Sequence, residues 1–149
     1  MFNLQIRLAG WGADTPPEHI ARVVERLVEA LALADQYQME ANPFPALEGA
    51  PVRYDLEGVN ELFDDATMVL ARRSGDCDDL CAYRLGELWA SKVDPLARAV
   101  VTWQYDEHAK TEIPWQFHVQ VRRSNGVIED PSAELGMGWL VSLEPEEDS

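Results

Sequence analysis

The sequence lacks the features that mark membrane-spanning and disulfide-stabilised proteins. No apolar run approaches the ~20 residues that a helix needs to cross a bilayer. The first residues have neither the basic flank nor the apolar stretch of a signal peptide. Only two cysteines are present, Cys77 and Cys81, and without a secretion signal they are expected to be reduced thiols rather than a disulfide. We therefore expect a cytoplasmic protein that does not interact with membranes.

Positive charge is also scarce. The chain has 12 basic residues, of which only two are lysines, against 27 acidic residues, and its formal net charge is −15. Such a surface repels phosphate backbones and anionic lipids, so the composition argues against binding to nucleic acid or to a membrane surface. We therefore expect the partner of this chain to be a protein or a peptide.

The rest of the composition is that of an ordinary globular domain. Apolar residues make up 46% of the 149 residues and charged residues 26%, which is close to the average for soluble proteins, and the length favours one domain. We assign residues 1–140 to that domain, with a strand and a long helix in 1–41 and the core in 42–140. Residues 141–149 are predicted to form an acidic, solvated tail (Glu144, Glu146, Glu147, Asp148).

Hydrophobic periodicity predicts helices in the first part of the domain and an antiparallel sheet in the second. Three- and four-residue spacing of apolar residues predicts a helix that begins at a Thr15 cap and ends near Met39, and two further helices over 56–73 and 76–90. A proline-rich connector over 42–51 separates the first two. Alternation or β-rich composition predicts strands over 2–8, 96–105, 115–123 and 127–130. This order of elements is typical of an α+β fold.

The segment Gly75–Cys81 contains the strongest candidate for chemistry. Gly75 interrupts the preceding helix, so Cys77 is predicted to lie in the first turn of the next one. The unpaired backbone N–H groups and the positive end of the helix dipole favour a thiolate at this position. The same N–H groups could hold the oxyanion that forms when a thiolate attacks a carbonyl. Cys77 is therefore a candidate nucleophile.

The surroundings of Cys77 allow a second interpretation. Asp76, Asp78 and Asp79 flank the thiol and would raise its pKa, so that an imidazolium partner would be needed to offset them. Without such a partner, Cys77 would be an ordinary buried cysteine at the start of a helix. Cys81 lies one turn further along the same face and is predicted to be a small packing residue in the core.

His118 is the histidine that the sequence places best for this role. His19 lies in the first turn of the long helix and His108 in a polar loop, whereas His118 lies in the middle of an alternating strand. The turn at Asn125–Gly126 folds the next strand back, which brings Asp130 level with His118. A cysteine, a histidine and an aspartate in this arrangement can act as nucleophile, base and orienting acid.

Three segments of the sequence resemble a known family. They are Gly75-Asp76-Cys77-Asp78-Asp79-Leu80, His118-Val119-Gln120-Val121, and Ile128-Glu129-Asp130-Pro131-Ser132 with its continuation to Met137. Together they are similar to the transglutaminase-like branch of the papain-like cysteine enzymes, above all to small stand-alone members encoded by tailed bacteriophages and prophages. Val52-Arg53-Tyr54 also fits that pattern. The resemblance runs from about Asn42 to Met137, nearly two-thirds of the chain.

The resemblance implies a fold and a set of roles. It implies a nucleophile at a helix N-terminus packed on a small antiparallel sheet, with Cys77 as nucleophile, His118 as base and Asp130 as orienting acid. It also implies a second oxyanion donor upstream of the cysteine, for which Asn60 is the candidate. The position after the histidine that is often aromatic in the family is Gln120 here. Further candidates for the substrate cleft are Asp76, Asp78, Trp103 and Trp115.

Three functions are compatible with these residues. The first is a cysteine amide hydrolase or acyltransferase that works through a thioester and needs no cofactor. The second is a phage structural or assembly protein, associated with the virion, that retains the fold without catalysis. The third is a cell-wall peptidase of the NlpC type, which ranks last because Asp78-Asp79 stand where a Ser-Gly pair usually follows that family's cysteine. A zinc site made of Cys77, Cys81 and His118 is disfavoured by its unusual ligand spacing, so no metal is predicted.

Overall fold

Two helices packed against a three-stranded sheet form the centre of the structure, a computed structural model that describes residues 1–56, 63–109 and 112–137. The fold is α+β, in agreement with the prediction from the sequence. In the described ranges, no helix is long and apolar enough to cross a membrane. In chain order the elements are α1 (Pro17–Ala41), a short helical turn (Leu47–Gly49), β1 (Arg53–Tyr54), α2 (Ala66–Arg72), β2 (Ser74–Gly75), α3 (Cys77–Ala90), β3 (Arg98–Tyr105), β4 (Trp115–Arg122), β5 (Ile128–Glu129) and an irregular helical turn (Ala133–Met137).

Helix α1 is the long amphipathic helix that the spacing predicts, but it begins differently. The residue at its cap position is Pro16, and Pro17 is the first helical residue. The Thr15 hydroxyl accepts a hydrogen bond from the Gly12 N–H at 2.9 Å instead of capping the helix. The predicted Thr15 cap is therefore wrong, because the preceding turn already uses that oxygen and Pro17 supplies the fixed backbone angle that suits a first helical position.

The larger sheet has the order β3-β4-β5, and both of its pairings are antiparallel. Its register places Thr102 opposite His118 and Glu129 opposite Val121. Since side chains alternate along a strand, one face carries the buried valines Val119 and Val121. His118 and Gln120 lie on the other face. The valine face packs in the core cluster that also contains residues of α1 and α3.

A second, very small sheet was not predicted. In it, β1 and β2 pair in parallel, with Tyr54 opposite Gly75. The Asp55 N–H donates to the Gly75 carbonyl at 2.9 Å, which extends this pairing by one bond. The connector after α1 is thereby joined to the residues that immediately precede α3.

Two further predictions from the sequence are wrong. Residues 2–8 do not form a strand, and the alternating apolar residues Phe2, Leu4, Ile6 and Leu8 are exposed. Helix α2 begins only at Ala66, where the Asp65 carboxylate caps it by accepting the Met68 N–H at 3.0 Å. Residues 63–65 are therefore not helical, and residues 57–62 of the predicted helix lie outside the described residues.

Helices α1 and α3 lie close together at Gly86, and this contact yields a stability prediction. A Cβ atom added at Gly86 would lie 2.8 Å from the Asp35 Cβ and 3.3 Å from backbone atoms of Ala32 and Gln36. We expect Gly86→Ala to lower the free energy of unfolding by about 2 kcal/mol, because overpacking outweighs the ~1 kcal/mol by which alanine favours a helix over glycine. Urea denaturation measures the change.

The control for this substitution is Gly49→Ala. A Cβ at Gly49 has no neighbour within 4 Å among the described residues, so we expect a change of less than about 0.5 kcal/mol. If Gly86→Ala were as stable as the parent, the two helices could not lie as close together at Gly86 as the structure shows.

Candidate active site

Cys77 is the first residue of α3, and the aspartates on either side of it hold the start of that helix. The Asp76 carboxylate accepts the Asp79 N–H at 3.2 Å, and the Asp79 carboxylate accepts the Asp76 N–H at 3.4 Å. This reciprocal pair is a capping box. The Asp79 carboxylate also accepts the Asp64 N–H at 2.8 Å. Two of the three flanking aspartates are therefore committed to backbone donors, a role that the sequence analysis did not assign to them.

The Cys77 thiol is partly exposed. Its Sγ lies 3.9 Å from an oxygen of the Asp78 carboxylate. The side chain also packs at the margin of the main core cluster, as do Phe63 and Phe117. A thiol at the first position of a helix, partly accessible to solvent, is in the environment in which reactive cysteines are found.

Tyr54 shares this environment, although the sequence analysis assigned it no role. Burial, together with the negative charges of Cys77, Asp76 and Asp78, raises the pKa of Tyr54 to about 12. Its phenol therefore stays protonated and can donate a hydrogen bond. The sequence signal that could have identified it is the Val52-Arg53-Tyr54 stretch, because the pairing of β1 with β2 brings Tyr54 beside Gly75.

His118 and Asp130 are in direct contact. The His118 Nε2 lies 2.8 Å from the Asp130 Oδ2, and the Gln120 side-chain amide donates to the same oxygen at 3.1 Å. The Ala133 N–H donates to Oδ1 at 3.1 Å. Burial raises the pKa of Asp130, but the hydrogen bonds from His118, Gln120 and Ala133 outweigh it, so that the net shift is downwards. The carboxylate is ionised at neutral pH and fixes the orientation of the imidazole.

A contact between α3 and β4 connects the two halves of the site. The buried Cys81 thiol donates to the Val119 carbonyl at 3.2 Å, next to His118 on β4. Burial raises the pKa of Cys81 well above its ordinary value, and the charges of Cys77 and Asp130 act in the same direction. Both of those groups thus lie within electrostatic range of Cys81. Cys81 is the buried packing residue that the sequence predicts.

An ion-pair network holds β5 against α3 beside Asp130. The Arg84 guanidinium makes two contacts with the Glu129 carboxylate, at 2.7 and 3.3 Å. Arg123 approaches the same carboxylate to 2.6 Å and Asp94 to 2.8 Å. These contacts join residues far apart in the chain, so sequence patterns could not identify them. They position β5, which Asp130 directly follows.

The other residues considered from the sequence are two tryptophans, two histidines and an asparagine. Trp103 lies along a groove between α1 and β3, and Trp115 packs edge-to-face against Tyr105, with ring centroids 5.7 Å apart. His19 is exposed, as is His108. Asn60 lies outside the described residues.

The described residues contain no candidate metal site, and the comparisons with known proteins found no relative. In residues 1–56, 63–109 and 112–137, no group of three or more His, Cys, Asp or Glu side chains could hold a metal ion. Comparisons with protein-family models, curated proteins and solved structures found no match to this chain.

Proposed function

We propose that this chain is a cysteine amide hydrolase or acyltransferase with a papain- and transglutaminase-like core. In this proposal Cys77 is the nucleophile, His118 the base and Asp130 the orienting acid. The observation that carries it is the 2.8 Å contact between His118 Nε2 and Asp130 Oδ2. A carboxylate that holds one ring nitrogen leaves the other, Nδ1, to exchange a proton with a nucleophile. The start of α3 at Cys77 is a second support.

The chemistry proceeds through a thioester. His118 takes the proton of the Cys77 thiol, the sulfur attacks the carbonyl carbon of an amide, and the electron pair of the C=O bond moves to the oxygen. When this pair returns, the C–N bond breaks, and the amine leaves with a proton from the His118 imidazolium. His118 then removes a proton from water or from an acceptor amine, which attacks the thioester carbon; the C–S bond breaks, and the sulfur takes the proton back from His118. The products are a carboxylic acid or a new amide, and Cys77 is regenerated.

The proposal locates the contact between Cys77 and His118 at the edge of β4. His118 faces away from the core side of the sheet, whereas α3 packs on the core side. The thiol and the imidazole therefore have to meet around the edge of β4 that β5, which ends at Glu129, leaves uncovered. The bond from Cys81 to the Val119 carbonyl supports this placement, because it holds the next turn of α3 against that edge. A separation of roughly 3–4 Å between the sulfur and Nδ1 is what the reaction requires.

Tyr54 is our candidate for a second oxyanion donor. Its raised pKa keeps the phenol protonated beside Cys77, and the backbone N–H groups of the first turn of α3 would be the other donors. We expect Tyr54→Phe to lower kcat by about 10²-fold with little change in KM, because the donor acts on charge that develops in the transition state. A kcat equal to that of the parent would exclude Tyr54 from this role.

Thiol alkylation tests the proposed pairing without knowledge of the substrate. At neutral pH we expect iodoacetamide to modify Cys77 in the folded protein and to leave Cys81 unmodified, because Cys81 is buried and its pKa is raised. His118→Ala should slow the labelling of Cys77 by about tenfold, because the variant lacks the cation that stabilises a thiolate. Mass spectrometry of the digested protein gives both rates.

The matched control is His108→Ala. The His108 ring is exposed, and among the described residues it pairs with Glu107 alone, so its removal should leave the labelling rate of Cys77 unchanged. If His118→Ala labelled as fast as the parent, the imidazole would not activate the thiol, and the assignment of His118 as base would fail.

A further inference from the structure

A groove between α1 and the sheet concentrates positive charge on a strongly acidic protein. Four arginines line it, two from α1, one from β3 and one from β4, and its volume is about 330 Å³ (Arg22, Arg26, Arg98, Arg122). The formal net charge of the whole chain is −15. A cluster of arginines is therefore an exception on this surface, and none of its members belongs to the proposed active site.

The two arginines of the sheet raise the charge density further. Arg98 and Arg122 lie directly opposite each other in the register of β3 and β4, an arrangement in which like charges repel. Arg98 donates to the Ala97 carbonyl and stacks over the Trp89 ring. In the described part of the chain, neither guanidinium forms an ion pair. A bound anion would remove the repulsion between them.

The two glutamates in the groove are already engaged. Glu25 pairs with Arg22 at 3.0 Å, and its carboxylate also accepts the Val101 N–H at 3.0 Å. Glu29 pairs with Arg26 and accepts the Ala99 N–H at 3.2 Å. Both carboxylates thus bind the outer edge of β3, and the groove retains an excess of positive charge.

The edge of β3 continues beyond these glutamates. In an antiparallel pair, alternate residues direct their backbone groups away from the partner strand, and Ala99 and Val101 do so towards α1. Trp103 and Tyr105 follow in the same phase. Among the described residues, no group bonds to their outward N–H and C=O, and both side chains are partly exposed. This half of the edge can accept another strand.

We propose that the groove and the adjoining edge bind an extended acidic peptide segment of a partner protein. The peptide backbone pairs with β3 at Trp103 and Tyr105, and its carboxylates lie among the arginines, above all Arg98 and Arg122. The strand edge favours a peptide over a small anion, because only a peptide backbone can pair with its row of N–H and C=O groups. The net charge of the chain disfavours nucleic acid. The binding is independent of the proposed catalytic activity.

Fluorescence anisotropy with a labelled peptide of alternating threonine and glutamate tests the proposal on the full chain. We expect saturable binding that weakens about tenfold or more between low and physiological salt. Arg98→Gln combined with Arg122→Gln should raise Kd by about tenfold or more, because two charged contacts are lost. Arg7→Gln combined with Arg53→Gln removes the same charge elsewhere and should change Kd by less than about twofold. A peptide N-methylated at alternate residues should bind about tenfold more weakly, since it cannot pair with a strand edge.

Three results would overturn the proposal. The first is no binding of the peptide at low salt. The second is equal weakening in both double variants, which would mean general attraction by charge. The third is unchanged binding of the N-methylated peptide together with displacement by inorganic phosphate, which would mean a simple anion site. Circular dichroism of each variant checks that it is folded.

Discussion

Replacing Cys77 with serine should abolish turnover of peptide and isopeptide substrates. The substitution changes one atom, and serine is well tolerated at the start of a helix, so the fold should be retained. A serine hydroxyl is a much weaker nucleophile than a thiolate beside an imidazolium, and we expect kcat/KM to fall at least about 10³-fold. A library of peptide and isopeptide amides, read by mass spectrometry for acids and for transferred amines, measures the loss and distinguishes hydrolysis from transfer.

The control for this experiment is Cys81→Ser. The Cys81 thiol is buried and donates to the Val119 carbonyl, and a serine hydroxyl can make the same bond. Its turnover per folded molecule should remain within about threefold of the parent, since it takes no part in the reaction. Should the Cys77→Ser protein turn over substrate as fast as the parent, the nucleophile would lie elsewhere.

The same variant separates catalysis from a structural role. If deletion of the protein prevented assembly of a virus that encodes it, while Cys77→Ser supported normal assembly, the second hypothesis from the sequence would be favoured. The capping box of Asp76 and Asp79 would then account for those side chains through helix stability alone. A loss of both turnover and assembly in Cys77→Ser would favour the enzyme.

The elements that could be predicted from the sequence are those that depend on residues close together in the chain. Spacing of apolar residues predicts α1, and the break at Gly75 predicts where α3 begins. Alternation predicts β4, but the same pattern over residues 2–8 misleads, because a strand also needs a partner and none of the described strands provides one. The pairing of β1 with β2 joins distant segments of two residues each, so it leaves no periodic signal.

The same distinction holds for the candidate site: contacts set by neighbouring residues could be predicted, and contacts between distant segments could not. The proximity of Asp130 to His118 could be predicted, because a tight turn at Asn125–Gly126 sets the register between neighbouring strands. The proximity of Tyr54 to the start of α3 could not be predicted from periodicity, since it depends on a parallel pairing across the fold. The sequence shows Asp76 and Asp79 as charges near the thiol and allows a capping role, which their reciprocal bonds to backbone N–H groups establish.

Asp35 combines deep burial with incomplete hydrogen bonding. It lies between α1, α2 and α3, is fully buried, and accepts the Ala66 N–H at 2.7 Å through one carboxylate oxygen. The other oxygen has no partner among the described residues. Burial and, to a smaller extent, the charge of Asp65 outweigh the bond from Ala66, so that the pKa of Asp35 is raised to about 8. The folded protein therefore holds a proton on Asp35 at neutral pH.

This proton makes stability depend on pH. In the unfolded chain Asp35 loses its proton near its ordinary pKa of 3.8, whereas in the folded protein it keeps the proton until about pH 8. Between these values the folded state binds more protons, so its stability falls as pH rises, with a limiting slope of about 1.4 kcal/mol per pH unit. Below the unfolded pKa the stabilising contribution is fully present, and above about pH 8 it is lost.

We therefore expect Asp35→Asn to remove this dependence. Asparagine keeps an oxygen for the Ala66 N–H and does not titrate, so the difference in unfolding free energy between variant and parent should increase in favour of the variant from pH 5 to pH 8. The expected increase is several kcal/mol, with about 4 kcal/mol as its upper bound. Urea denaturation at intervals across this range measures the difference, and exposed Asp14→Asn should show a constant one. A constant difference for Asp35→Asn would mean that Asp35 is ionised in the folded protein, and that the helices around it accommodate a charge.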